Sequence, residues 1–193
     1  MRRYGYLPQF VANHNCKNIM EIGVWNGGTG RHMIESAVNK GLDNVAYFGF
    51  DLFEDFVVDT ENGDTKVPPP MNEVKERVTV EGAYSELFQG DSRVTIPEFV
   101  KENSDMKMDM IFIDGGHGWE NIQTDWDNVQ PLIHEKTVIV FDDYWLPELN
   151  WGSNRIVDNL DMEKWNVEVM PLSDSCDWEG RPCKLHVVKV LPK

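Results

Sequence analysis

Short apolar runs alternate with segments of helical length between residues 17 and 141, and that alternation restricts the fold more than any other feature of the chain. Strand-like stretches are read at 17–22, 46–51, 86–89, 108–113 and 137–141, with helices at 31–39, near 97–102 and at 119–132. Runs this apolar need cover on both faces, which predicts a parallel sheet between two helix layers. Further on, 166–170 and 184–190 are again strand-like. The turn-rich Ser173-Asp174-Ser175 and Glu179-Gly180-Arg181-Pro182 lie between them without a helix, so the two form an antiparallel hairpin at its simplest. The expected sheet is mostly parallel, with an antiparallel strand near one edge.

A chain of 193 residues, 41% of them hydrophobic, suits a single domain spanning 1–193. Its one compositional break, at 55–72, contains Asn62-Gly63-Asp64 and Pro68-Pro69-Pro70. This reads as a lid-like excursion or as a segment disordered in the unliganded protein. A formal net charge of −15 disfavours nucleic acid and anionic membranes as partners. Arg2-Arg3 is followed by no apolar core of signal-peptide length, and apolar runs such as 110–113 are far too short to span a bilayer. Cys16, Cys176 and Cys183 lack metal-finger spacing, and three cysteines without a leader point to reduced thiols. A soluble, unprocessed, cytoplasmic protein is expected, with Cys176 and Cys183 able to pair across the hairpin as the alternative.

Polar residues at strand ends carry the candidate chemistry, because open parallel sheets bind ligands beyond the carboxyl ends of their strands. The first run, Asn18-Ile19-Met20-Glu21-Ile22, leads into Gly23-Val24-Trp25-Asn26-Gly27-Gly28-Thr29-Gly30. Glycines there reach backbone angles closed to other residues and let a ligand approach main-chain N–H groups at a helix start. A plain tight connection is the other reading. Asp51 closes the second run where an acid accepts the hydroxyls of a ribose; a turn or cap acid is the alternative. Asp91, followed by Ser92, is placed either beside an adenine or as a helix N-cap.

Asp114-Gly115-Gly116-His117 follows the fourth run and Asp142-Asp143 ends the fifth. Three carboxylates on neighbouring strand ends suit a hard divalent cation, Mg²⁺ first, and repel one another without one. Pairing with Arg155 or Lys136, or capping of helices, is the structural alternative. His117 is a general base or a satisfied loop histidine. No Gly-x-Ser-x-Gly elbow, P-loop or Gly-x-Gly-x-x-Gly fingerprint appears.

In this order and placement, Glu21-Ile22-Gly23 with Gly27-Gly28-Thr29, Asp51, Ile113-Asp114-Gly115-Gly116-His117 and Phe141-Asp142-Asp143-Tyr144 resemble the class I S-adenosylmethionine-dependent methyltransferases. The resemblance is to the small-molecule O-methyltransferase branch that includes cephalosporin-pathway and macrolide-sugar enzymes. It implies a Rossmann-like three-layer sandwich whose seven-stranded sheet has an antiparallel last strand. It implies S-adenosylmethionine held by Glu21, Gly23, Asn26, Gly27, Gly28, Thr29, Asp51, Leu52, Asp91, Ser92 and Asp114. It also implies Mg²⁺ or another divalent cation on Asp114, Asp142 and Asp143, and catalysis by His117 with Asp114. The turn His134-Glu135-Lys136-Thr137 departs from the branch's usual Pro-Gly-Gly.

The expected reaction moves a methyl group to a hydroxyl of a small molecule, with positioning and metal coordination supplying the acceleration. Specificity is expected from 55–72 and 144–153, with Trp145 the best-placed of seven tryptophans to stack on an acceptor and a core role the alternative. Rival readings are a metal-independent methyltransferase, a non-catalytic ligand-binding or scaffold module and, more distantly, a nucleotide-dependent oxidoreductase. A homo-oligomer is allowed.

Overall fold

The computed structural model of the protein describes residues 3–59, 65–147, 152–178 and 180–193. Its strands are β1 (Asn18–Ile22), β2 (Val45–Asp51), β3 (Ala83–Gln89), β4 (Met110–Ile113), β5 (Val138–Leu146), β6 (Trp165–Trp178) and β7 (Arg181–Pro192). They form one sheet in the order β3-β2-β1-β4-β5-β7-β6. The first five are mutually parallel, and β7 runs antiparallel to both β5 and β6. The expected seven-stranded sheet with its antiparallel last strand is what the chain builds.

Period-two alternation explains why the central runs are apolar throughout. Met110 and Phe112, like Val138 and Val140, enter one core with Leu7, Phe10, Met33, Ile34, Val74 and Val78. Ile111 and Ile113, like Ile139 and Phe141, enter the other with Ile96, Phe99, Ile122, Trp126 and Val129. Helices α1 (Tyr6–His14), α2 (Gly28–Asn39) and α3 (Met71–Val78) cover the first face. Helices α4 (Ser92–Glu102), α5 (Trp119–Val129) and the short α6 (Asn154–Val157) cover the second. At about 1.5–3 kcal/mol for each fully buried aliphatic or aromatic side chain, these two layers supply most of the stabilisation.

Several elements differ from expectation, each for a local reason. The helix expected near 97–102 begins at Ser92, because the Asp91 carboxylate caps it by accepting the Arg93 N–H at 2.9 Å, and Pro97 lies inside it. α1 and α3 have no counterpart in the sequence reading. α3 starts directly after Pro70 and its Val74 and Val78, one turn apart, pack beneath the glycine turn. The turn before β5 closes without Pro-Gly-Gly: Thr137 Oγ1 accepts the His134 N–H at 2.8 Å and donates to the Met108 carbonyl at 2.7 Å. Cys176 stands opposite Cys183 in the β6–β7 ladder with sulfurs 2.8 Å apart, and both are free thiols.

Candidate active site

The glycine turn is built by close approach. Gly23 has φ +87°, and a Cβ there would fall 1.9 Å from the Asp114 carbonyl oxygen, so the turn after β1 touches the end of β4 through backbone alone. Gly27, φ +74°, precedes α2, and a Cβ there would meet Val78 Cγ1 at 2.9 Å. Asn26 Oδ1 accepts the Gly28 N–H at 2.9 Å, while Thr29 lies in the first turn of α2. Asp51 ties the turn to β2: its two oxygens accept the Trp25 N–H at 2.7 Å and the Phe53 N–H at 3.0 Å. Leu52 precedes the short 3₁₀ turn that follows.

Glu21 lies beneath this turn, fully buried, and accepts the Tyr47 hydroxyl. Burial pushes its carboxyl up to about 8 against the downward pull of that hydrogen bond, with Asp51 adding to the rise. A neutral Glu21 thus supports the turn from inside. Gly30 is needed beside it, since a Cβ would fall 2.7 Å from Glu21 Oε2. At the β3 end, Asp91 carries the cap and an ion pair with Arg93, whose hydrogen bonds hold its carboxyl below the ordinary value. Ser92 hydrogen-bonds Asp125 of α5, a buried acid that the sequence reading passed over. Burial pushes the Asp125 carboxyl up to about 7, and its Oδ2 lies 3.0 Å from where a Gly115 Cβ would stand.

Asp114, Asp142 and Asp143 converge as expected, each offering an oxygen within 4.8 Å of the others. A bulge in β5 between Phe141 and Tyr144 brings both Asp142 and Asp143 to the rim, and Asp143 takes φ +53° there. Gly152 makes room for it, because a Cβ would fall 2.6 Å from the Asp143 carbonyl. His117 Nε2 lies 2.8 Å from Asp143 Oδ2.

The cation beside these acids is neither Arg155 nor Lys136. Arg155 stacks over Trp119 at 4.0 Å, and Lys136 faces Glu135 at 3.7 Å. Instead Arg3, from the short turn before α1, grips Asp142 with Nε to Oδ1 at 2.7 Å and Nη2 to Oδ2 at 2.8 Å. Its Nη2 also reaches Asp143 at 3.4 Å, and its Nη1 reaches Asp174 of β6 at 2.6 Å. Tyr4 Oη lies 2.6 Å from Asp142 and 3.1 Å from Asp114.

These partners separate the acids chemically. Burial and the neighbouring charges of Asp142 and Asp143 hold the Asp114 carboxyl well above the carboxylate range. Burial also raises Asp142, but hydrogen bonds and charge from Arg3 outweigh it and the net shift is downward. Asp114 and Asp142 are hydrogen-bonded to each other, so protonated Asp114 donates to ionised Asp142, and Tyr4 donates to the same Asp142 carboxylate. Nothing in the local sequence marks Arg3 and Tyr4, which lie 139 and 110 residues from these partners.

Other candidates fall elsewhere. Trp145 is buried, with its backbone held by both ends of the Asn154 side chain at 2.7 and 3.1 Å, so it belongs to the core. Trp25 and Trp119 are exposed. Of the excursion at 55–72, residues 60–64 with Asn62-Gly63-Asp64 lie outside the described residues, as do 148–151 of the 144–153 segment. The described flank folds toward the glycine turn: Trp25 Nε1 donates to the Val67 carbonyl at 3.4 Å and Lys66 Nζ lies 5.7 Å from its ring.

In a sheet of this order the succession of strands switches direction between β1 and β4, β2 and β3 lying to one side and β4 and β5 to the other, and ligands bind in the crevice that opens there. Gly23 and Asp114 flank that crevice, which makes the molecule a Rossmann-like α/β protein with its candidate site at the switch point. The family can be stated as well: a family model described as a methyltransferase domain matches residues 20–144, and the chain belongs to this family. Calicheamicin methyltransferase CalS11 superposes with a TM-score of 0.62 at 18% identity, over 95% of this chain and 76% of that one. An O-methyltransferase from Bacillus cereus, in complex with SAH, gives 0.61 at 14% identity, over 97% and 80%. TomG, an O-methyltransferase from Streptomyces achromogenes in complex with SAM, gives 0.59 at 11%, over 98% and 79%. At these identities the likeness is one of fold. The uncharacterized protein y4gI of Sinorhizobium fredii (strain NBRC 101917 / NGR234) is 27% identical over 99 residues, 51% of this chain, which spans 11% of that protein's length. Among the described residues, no helix is long and apolar enough to cross a membrane.

Proposed function

We propose that this protein transfers a methyl group from S-adenosylmethionine to a hydroxyl of a small molecule, with a divalent cation, Mg²⁺ first, on Asp114, Asp142 and Asp143. The observation that carries the reading is the contact between Gly23 and the Asp114 backbone. It sets a cofactor-type turn and an acid cluster side by side on one rim. The relatives of this fold with SAH or SAM bound support the cofactor assignment.

Gly23, Gly27 and Gly28 shape the turn at the start of α2, their own N–H groups being taken by the Phe50 and Val24 carbonyls and by Asn26 Oδ1, and Asp51 offers the second lone pairs of its oxygens to a ribose. Glu21 holds the turn from beneath. Asp91, Ser92 and Leu52 border the adenine side. Bound S-adenosylmethionine supplies the electrophilic methyl carbon. The donor set fits a hard cation, being three carboxylates converging within 4.8 Å, and the Arg3 guanidinium already takes a cation's place among them. Such an ion would lower the acceptor hydroxyl's pKa and orient it. Asp143 holds the Nε2–H of His117, so His117 takes the acceptor proton at its other ring nitrogen, Nδ1. A net charge of −15 turns the preference from nucleic acid toward a small acceptor. The protein is further proposed to be a cytoplasmic single domain, with the flank of the excursion near Val67 shaping the acceptor side.

A calorimetric titration of S-adenosylhomocysteine into EDTA-treated protein tests the reading. Micromolar binding is expected, weakened about tenfold by Asp51→Ala and little changed by Asp142→Ala, which instead abolishes transfer to a panel of hydroxylated acceptors. Absence of binding overturns it. The seated Arg3 favours one second reading, methyl transfer with Arg3 itself neutralising the acids, and activity that survives EDTA selects it.

A further inference from the structure

We infer that Arg3 is a built-in occupant of the acid cluster, and that the turn carrying it must withdraw before a divalent cation can bind. The inference rests on the cation assignment above and goes beyond it, to residues outside the family match at 20–144.

The geometry is that of competition for the same atoms. A divalent cation needs carboxylate oxygens with free lone pairs, and Arg3 engages both oxygens of Asp142 at 2.7 and 2.8 Å and approaches Asp143 Oδ1 at 3.4 Å. Tyr4 takes Asp142 Oδ2 as well, at 2.6 Å, and bridges to Asp114 at 3.1 Å. Every acid of the cluster is therefore engaged by the same two residues. A guanidinium and a dication cannot share this space, because their charges would stand a bond length or two apart in a buried setting.

The seat is made for this side chain. Arg3 is almost fully buried although it lies at the edge of the described chain, and Asp174 receives its remaining face at 2.6 Å. The Arg3 guanidinium lies 4.6 Å from the Tyr4 ring centre, and that ring packs edge-on against Phe112 of β4 at 5.9 Å. Withdrawal is local nonetheless. The turn Arg3–Gly5 precedes α1, and α1 is anchored independently through Leu7, Phe10 and Val11 in the first core. Only that turn has to move.

Competition of this kind lowers the apparent cation affinity by the fraction of molecules whose seat is free. The full-length protein is titrated with Mn²⁺, following free Mn²⁺ by electron paramagnetic resonance. Arg3→Gln is expected to bind Mn²⁺ about tenfold more tightly than the wild type, and Asp142→Asn in the Arg3→Gln background to abolish the gain. Asp174→Asn loosens one anchor of Arg3 without touching the cluster. It is expected to tighten Mn²⁺ binding in the same direction by less, and it serves should Arg3→Gln fold poorly. Mn²⁺ is also expected to speed amide exchange in the wild-type turn before α1. Equal Mn²⁺ affinity in wild type and both variants overturns the proposal, as does a lack of Mn²⁺ binding by Arg3→Gln. S-adenosylhomocysteine binding, measured on the same samples, separates the two readings. Its absence alongside intact Arg3 competition sinks the methyltransferase proposal alone.

Discussion

Gly23 carries more of this molecule than its size suggests. Its left-handed backbone turns the chain out of β1, and the missing side chain lets the turn lie directly on the Asp114 carbonyl. Gly23→Ala therefore faces two penalties: about 1–3 kcal/mol for the backbone angle, and a collision that no rotamer relieves because the partner is main chain. Urea unfolding is expected to show a loss of at least about 2 kcal/mol, accompanied by weakened S-adenosylhomocysteine binding. Full stability of this variant would mean that the turn is not held where the structure has it. The requirement for glycine at position 23 is legible from its place after an apolar run. That the obstacle is Asp114, on another strand, is not.

α4 shows how one residue serves two roles that sequence alone leaves undivided. Asp91 caps the helix through the Arg93 N–H and binds the Arg93 guanidinium, so its carboxylate is already committed in the absence of any ligand. Asp91→Ala is expected to cost about 1 kcal/mol in urea unfolding, the ordinary value of a lost N-cap. Unchanged S-adenosylhomocysteine affinity in that variant would assign Asp91 to the helix, and a matching loss of affinity would assign it to the adenine side as well. The strands were legible because alternation between two cores leaves long apolar runs, as in β4 and β5. α3 was not, because it shows only Met71, Val74 and Val78 as apolar positions, whereas α1, with Tyr6, Leu7, Phe10 and Val11 at helical spacing, carries a signal that the sequence reading passed over. Their stability comes from what they lie on, Val74 and Val78 under Gly27 being the clearest case.

Across the whole molecule, burial of acids gives the protein a definite pH response. Glu21 and Asp125 keep protons in the folded state up to about 8 and about 7, while the unfolded chain releases them near the ordinary 4.5 and 3.8. The unfolded state thus binds fewer protons across that interval, and stability falls as pH rises through it, the contributions of these two groups being spent above about pH 8. Asp142 acts in the opposite sense, its contribution being lost only as pH falls through the depressed value that Arg3 imposes. In thermal melts, Glu21→Gln is expected to flatten the decline between about pH 5 and pH 8, and an unaltered slope would show that Glu21 is ionised in the fold. The sequence by itself determined the succession of the strands along the chain, the helices α2, α4 and α5 between them, the antiparallel end of the sheet, the glycine turn and the acids at the strand ends. All of these follow from backbone preferences and side-chain alternation within a short window. Only the tertiary structure decided the charge state of Glu21, the burial of Trp145 and the seating of Arg3 on Asp142. Those depend on which distant groups share a low-dielectric space, and nothing within a short window of the chain records that.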